Sequence, residues 1–230
     1  MASKNNTLTV PPVPANNTCI LKTPTLALFI ARRNSGKSYL MRHLLHVLSK
    51  GKKFDWIYVI SPTSFNGEWS DIVGKKNVTD TFNAVWLERL MNAQAASIGK
   101  GRGSSGLIIM DDCLGSANFQ EDIFTKLAIA GRHFKITVWA TFQHYFKVPT
   151  VLRSNCDYMF ILGNQQQKVV KALYEEYAPP DYDTYQELNT KFRSCTEDHG
   201  ALLIDNTSGA ASLHRVRAPS NPIKFKITSK

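Results

Sequence analysis

Ala31-Arg32-Arg33-Asn34-Ser35-Gly36-Lys37-Ser38 closes an apolar run, Leu26-Ala27-Leu28-Phe29-Ile30, and opens an amphipathic segment over 37–49. Strand, loop and helix in that order are the context a phosphate-binding loop requires. Backbone N–H groups gathered at a helix N-terminus present a fixed positive dipole to a polyphosphate. Gly36 allows close approach of the main chain, Lys37 is placed to reach the β- and γ-phosphates, and the Ser38 hydroxyl to sit on Mg²⁺. With Tyr39 next in line, residues 31–39 form the candidate nucleotide-binding set for ATP and Mg²⁺. Ala31 stands where the usual pattern has its first glycine, which only a positive φ would forbid. As an exposed loop residue, Lys37 is expected to contribute little to stability. The same stretch also fits a solvated turn capped by Ser35.

A second apolar run, Gly106-Leu107-Ile108-Ile109-Met110, ends in Asp111-Asp112. After such a strand the first acid holds Mg²⁺ and the second polarises the attacking water, which makes Asp111 the metal-side acid and Asp112 the candidate general base. The alternative is an Asp-initiated turn, Asp112-Cys113-Leu114-Gly115. The third run, Lys135-Ile136-Thr137-Val138-Trp139-Ala140-Thr141, is β-branched and aromatic and leads into Phe142-Gln143. Ligands of open parallel sheets bind beyond the carboxyl ends of strands, so Gln143 is a candidate for the γ-phosphate or the water, or else lies in a solvent-facing turn. Gly131-Arg132-His133 ends a helical segment over 118–130 and belongs at the opposite edge of the sheet. Arg132 there suits a neighbouring chain's nucleotide, or caps its own helix.

The 230 residues carry 28 Lys and Arg against 18 Asp and Glu, a net charge of +10. This balance suits a polyanion partner, or a solubilising surface. Residues 1–53 contain Lys and Arg but no acid, as does the stretch from Arg215 to Lys230. Lys100 and Arg102, in a Gly/Ser-rich stretch before the Asp111 strand, are the other candidate DNA contact, read as a flexible loop or a plain linker. Cys19, Cys113, Cys156 and Cys195 are isolated, which argues against a disulfide framework or zinc site; Cys113 reads as a small residue packed beneath the carboxylates. No apolar run is long enough to span a membrane, and no secretory signal is visible at the N-terminus.

Phe54 to Ile60 and Tyr158 to Leu162 read as further core strands. Residues 80–97 and 164–177 read as helices, the second stopped by Pro179-Pro180, and 201–205 with 212–217 as an antiparallel hairpin. The alternation predicts one α/β sheet, mostly parallel, flanked by helices. The expected organisation is an extended arm over 1–24, a P-loop domain over 25–218 and a basic tail over 219–230.

The order phosphate loop, Asp-Asp strand, Gly131-Arg132-His133, strand ending near Gln143, then Val148-Pro149-x-x-Leu152-Arg153-x-Asn155 resembles the poxvirus-type genome-packaging ATPases of large DNA viruses and virophages, within the FtsK/HerA superfamily. The resemblance spans about residues 25–165. It implies a RecA-like sheet and a homo-oligomeric ring, pentamer or hexamer. It also implies ATP-driven movement of double-stranded DNA into a preformed capsid at its vertex, in the host cytoplasm or a viral factory and in association with the virion. By the same resemblance Arg132 is a finger acting in trans, with Arg153 a second candidate, and Gln143 is a sensor. Asp112 departs from the glutamate usual in the wider superfamily. Another P-loop enzyme, a helicase-like ATPase or small-substrate kinase, and a nucleotide-inactive basic structural protein are the alternatives.

Overall fold

The computed structural model describes residues 21–51, 54–113, 122–163, 166–177, 183–221 and 224–227. Outside these lie residues 1–20 of the predicted arm, Leu114-Gly115 of the alternative turn and the predicted helical start at 118–121. Positions 164–165, Pro179-Pro180 and the remainder of the tail also lie outside.

The described chain runs β1 (Leu26–Ile30), α1 (Lys37–Lys50), β2 (Trp56–Ile60), α2 (Ser70–Val73), β3 (Val78–Thr79), α3 (Ala84–Gly99) and β4 (Gly106–Met110). It continues with α4 (Asp122–Ala130), β5 (Ile136–Phe142), α5 (Thr150–Asn155), β6 (Tyr158–Leu162), α6 (Gln167–Tyr177), α7 (Tyr185–Thr196), β7 (Ala201–Asp205) and β8 (Ser212–Val216). The strands form one sheet in the order β3-β2-β4-β5-β1-β6-β7-β8. β3 through β6 are parallel, and β7 and β8 add an antiparallel hairpin. From β1 the chain crosses to β2, returns through β4 to β5 beside β1, and only then places β6 on the other side. The carboxyl ends around β1 are therefore where a ligand crevice opens.

Both faces of the sheet are covered, which is why its central strands are apolar throughout. Alternation divides them strictly. Leu26, Leu28 and Ile30 of β1, Ile108 and Met110 of β4, and Ile136, Val138, Ala140 and Phe142 of β5 share a core with residues of α3 to α7. Ala27 and Phe29, Leu107 and Ile109, and Trp139 face the other way, against Leu40, Met41, Leu44, Leu45 and Leu48 of α1 and Trp69, Ile72 and Val73. By the same period of two, Asp111, Thr141 and Gln143 fall on the α1 side, the side of the phosphate loop. The described part of the tail packs there too: Ile227 N donates to Ile72 O at 2.8 Å, and the Phe225 ring meets His46.

Candidate nucleotide site

The loop between β1 and α1 turns on two left-handed residues, Asn34 at φ 57° and Gly36 at φ 91°. Gly36 occupies the N-cap of α1, where a side chain would meet ordinary van der Waals space but a strained backbone, so its value there is conformational. Ser35 does not cap the helix: no side-chain cap bond exists at this terminus, and the Ser35 hydroxyl donates instead to Arg32 O. The first α1 amides are thus left facing the loop, free of a side-chain competitor. Positive φ among described non-glycine residues is confined to Asn34, Asp112, Lys135, Asp198 and His199, so Ala31 replaces glycine without strain. Its methyl group is fully buried, and its N–H donates to Phe142 O at 3.0 Å.

Lys37 is not the exposed residue expected from its place in the loop. It is only 8% exposed, and its Nζ donates to Ala31 O at 2.8 Å and Arg32 O at 3.1 Å. The loop folds over its own lysine because two inward carbonyls replace the water that the ammonium loses. Burial pushes the Lys37 ammonium below the ordinary lysine value, while Asp112 and Asp111 pull it back up.

Asp111 lies at the carboxyl end of β4 and is 4% exposed. Its Oδ2 accepts from Trp69 Nε1 at 2.9 Å and its Oδ1 from the Thr141 hydroxyl at 3.3 Å; the Ser38 side chain bonds it as well. Burial raises its pKa. The hydrogen bonds from Trp69, Ser38 and Thr141 oppose the shift, and the Asp112 charge adds to it. Asp112, left-handed at φ 57°, is held at both ends: its N–H donates to Thr141 Oγ1 at 2.7 Å, and its Oδ1 accepts from Gln143 Nε2 at 2.7 Å. Thr141 therefore bridges the two acids, and Gln143 aims the second. Cys113 packs underneath, fully buried, its thiol donating to Ile60 O at 3.0 Å.

Lys37, Ser38, Asp111, Asp112 and Gln143 thus share one locus. Trp69 and Thr141 escaped that reading as site residues. Trp69, on the turn into α2, fixes one carboxylate oxygen of Asp111, and nothing in its neighbours distinguishes it from a core aromatic. Thr141 was legible in principle, two residues before Gln143 on the same face of β5.

The other candidates lie elsewhere. Arg132 is exposed in the turn between α4 and β5, at the amino ends of the strands, where its charge acts on Asp157. Lys100 and Arg102 are exposed at that same end. Their segment is not the flexible loop expected from its glycines. Arg102 N donates to Ser97 O at 2.9 Å, the Ser97 hydroxyl to Arg102 O at 3.0 Å, and Gln94 Nε2 to Ser104 O at 2.7 Å, so the turn is closed onto α3. Arg153 packs within its own chain, its guanidinium 4.9 Å from the Tyr145 ring centroid and 3.8 Å from Glu176 Oε1.

On the β6 side of the loop a cavity of 410 Å³ is lined by Gly36, Tyr39, Asp198, His199, Arg217 and Pro219, among others. Asp198 and His199 are consecutive left-handed residues at φ 49° and φ 60°, and Arg217 pairs with Asp198 at 3.5 Å. The acids lie on the opposite side, at the ends of β4 and β5.

Ser38 and Asp111 offer hard oxygen donors side by side, the set that suits Mg²⁺ shared with substrate phosphates. The two acids are separable by substitution. Because Asp111 titrates higher folded than unfolded, its ionised form costs stability above that range; Asp111→Asn should raise the thermal midpoint at neutral pH, and the gain should vanish in acid. The same variant should lose Mg²⁺-dependent nucleotide binding. Asp112→Asn should keep that binding and slow hydrolysis ~10²-fold. Identical nucleotide titrations for the two variants would refute this division; an Asp111→Asn midpoint lowered at neutral pH would refute only the stability cost of the ionised carboxylate.

Comparison with known proteins places the chain among viral proteins. Protein L437 of Acanthamoeba polyphaga mimivirus is 29% identical over 212 residues, covering 86% of this chain and 69% of that one. Protein 075L of Invertebrate iridescent virus 6 is 27% identical over 188 residues, covering 78% and 69%. Among solved structures, the genome packaging NTPase B204 from Sulfolobus turreted icosahedral virus 2, in complex with AMP, aligns with a TM-score of 0.62. It covers 86% of this chain and all of that one at 17% identity, a likeness of fold. The mostly parallel sheet with its C-terminal hairpin is thus a RecA-like P-loop NTPase fold. The profile of the family described as Poxvirus A32 protein matches residues 16–176, more than half of the chain, and the chain therefore belongs to the Poxvirus A32 protein family.

Proposed function

We propose that this chain is the ATP-hydrolysing subunit of a viral genome-packaging motor that drives double-stranded DNA into a preformed capsid at its vertex. It works as a homo-oligomeric ring, pentameric or hexameric, in the host cytoplasm or viral factory and then on the virion. The observation that carries the reading is the convergence of Lys37, Ser38, Asp111, Asp112 and Gln143 at the carboxyl ends of β1, β4 and β5. Membership of the Poxvirus A32 family and the fold shared with a packaging NTPase bound to nucleotide support it. Among the described residues, no helix is long and apolar enough to cross a membrane.

In this reading Lys37 exchanges the Ala31 and Arg32 carbonyls for β- and γ-phosphate oxygens as ATP enters. The exchange costs little, because the ammonium is already stripped of water and already pointed into the loop. Ser38 and Asp111 hold Mg²⁺, which when bound neutralises charge on the transferring phosphoryl group. Asp112 accepts a proton from the attacking water while the Gln143 amide keeps its carboxylate turned toward the loop, and Gln143 reports the presence of the γ-phosphate. Tyr39, His199 and Pro219 receive the nucleoside.

The deciding measurement is the ATPase rate of the full chain with and without double-stranded DNA, together with sedimentation in nucleotide. Hydrolysis stimulated by DNA in an assembled particle is expected. Absence of hydrolysis, or ADP release only in the presence of a phosphate acceptor, would overturn the proposal.

A further inference from the structure

The turn that follows Gln143 carries an exposed surface used by none of the chemistry above. Tyr145, Phe146 and Lys147 make one 3-10 turn at the carboxyl end of β5. Tyr145 is fully buried, and its hydroxyl donates to Glu176 Oε2 at 2.6 Å, which anchors the turn to α6. Its neighbour reaches solvent: Phe146, its ring edge-to-face with Tyr145 at 5.3 Å, is 50% exposed, and Lys168 Nζ, from the first turn of α6, stands 5.4 Å from the centre of its ring. His144 and Lys147 flank it, both exposed. Among the described residues, neither Lys147 nor Lys168 has an acidic partner within ion-pair distance, whereas Lys171, one turn further along α6, is paired with Glu175. Arg32 and Arg33 of the phosphate loop are exposed at this same end of the sheet.

We propose that His144, Phe146, Lys147 and Lys168 form a contact surface for the DNA backbone, placed so that DNA engagement acts on Gln143. The inference rests on the packaging-motor reading for its substrate. An exposed aromatic ring framed by lysines that, among the described residues, pair with no acid fits a polynucleotide, whose phosphates take the lysines and whose sugars or bases take the ring. The anchored Tyr145 makes the surface rigid, so a load on Phe146 or Lys147 is passed along the backbone to Gln143, whose amide holds Asp112 at 2.7 Å. Lys100 and Arg102 lie at the opposite end of the sheet and have no such link.

The test uses the full chain, a labelled duplex and the matching single strand, with binding measured across a salt series and ATPase with and without DNA. Lys147→Ala combined with Lys168→Ala should weaken duplex binding ~10-fold and flatten its log–log salt slope by about two, one per lost phosphate contact. Hydrolysis without DNA should be unchanged and stimulation by DNA lost. Phe146→Ala should weaken binding roughly fivefold or more with the salt slope intact, and more for the single strand if the ring stacks on bases. Lys100→Ala combined with Arg102→Ala should match the parent. If the parent chain binds duplex and the 147/168 variant binds it equally with the same slope, or if the 100/102 variant carries the loss, this surface is wrong while the motor reading stands. If the parent hydrolyses ATP yet binds no DNA, both are wrong.

Discussion

Lys37→Met should lower the ATP turnover of the assembled protein ~10³-fold while leaving the chain folded. The size follows from where the charge sits. An ammonium only 8% exposed, held by two loop carbonyls, is a preorganised donor in a place from which water is largely excluded, and removing one such donor costs ~10²–10³ in rate. The folding term is smaller and of mixed sign. Burial already disfavours the charged form of Lys37, so its removal relieves that cost, while Ala31 O and Arg32 O lose their donor. A net change within ~1 kcal/mol is expected, read as a thermal midpoint close to the parent's. Single-turnover hydrolysis and a nucleotide titration measure the loss. Parent-like turnover in Lys37→Met would remove the phosphate-loop assignment, and no rearrangement of the other site residues would rescue it.

The parts of the site that were legible in the sequence are those whose signal is local. A strand, a loop with Gly36 before Lys37, and a helix are contiguous, and so are an apolar run and the carboxylates that end it; period-two alternation then gives the face. The parallel sheet and the C-terminal hairpin followed from the same reasoning and agree with the observed strand order. What was missed depends on contacts between distant segments. The indole of Trp69 reaches Asp111 across 42 positions of sequence, and the left-handed pair Asp198-His199 is set beside Gly36 by the β7–β8 hairpin, not by its own residue types. The Lys37 exposure was misjudged because the loop closes on its own lysine through backbone carbonyls, which carry no residue signature. Of the two readings of the 100–106 stretch, the flexible loop fails for a related reason: its glycines suggest freedom, but the Gln94 amide, donating to both Ser104 O and Phe134 O, ties it down.

The second large effect should appear only between subunits. Arg132 is exposed at the amino end of β5, while the acids it would serve lie beyond the carboxyl ends; seven residues of strand, roughly 20 Å, separate the two. A guanidinium there has no route to its own nucleotide; in the ring proposed above its target would be a neighbour's γ-phosphate, where such a group is worth ~10³-fold or more. Arg132→Ala should therefore lose hydrolysis by that factor while still binding ATP, since its own phosphate loop is intact. Mixing Arg132→Ala with Lys37→Met subunits should restore part of the activity, because some interfaces then join an intact loop to an intact arginine. Arg153 makes the informative contrast. Its guanidinium is committed to the Tyr145 ring and to Glu176 in its own chain, so Arg153→Ala should lower stability and fail to complement Lys37→Met any better than a destabilised parent would. Recovery with Arg153→Ala but not with Arg132→Ala would transfer the trans role to Arg153. No recovery from the Arg132→Ala mixture, with assembly confirmed by sedimentation, would leave Arg132 as a surface cation beside Asp157, because a residue that far from its own site has no other way to act on the reaction.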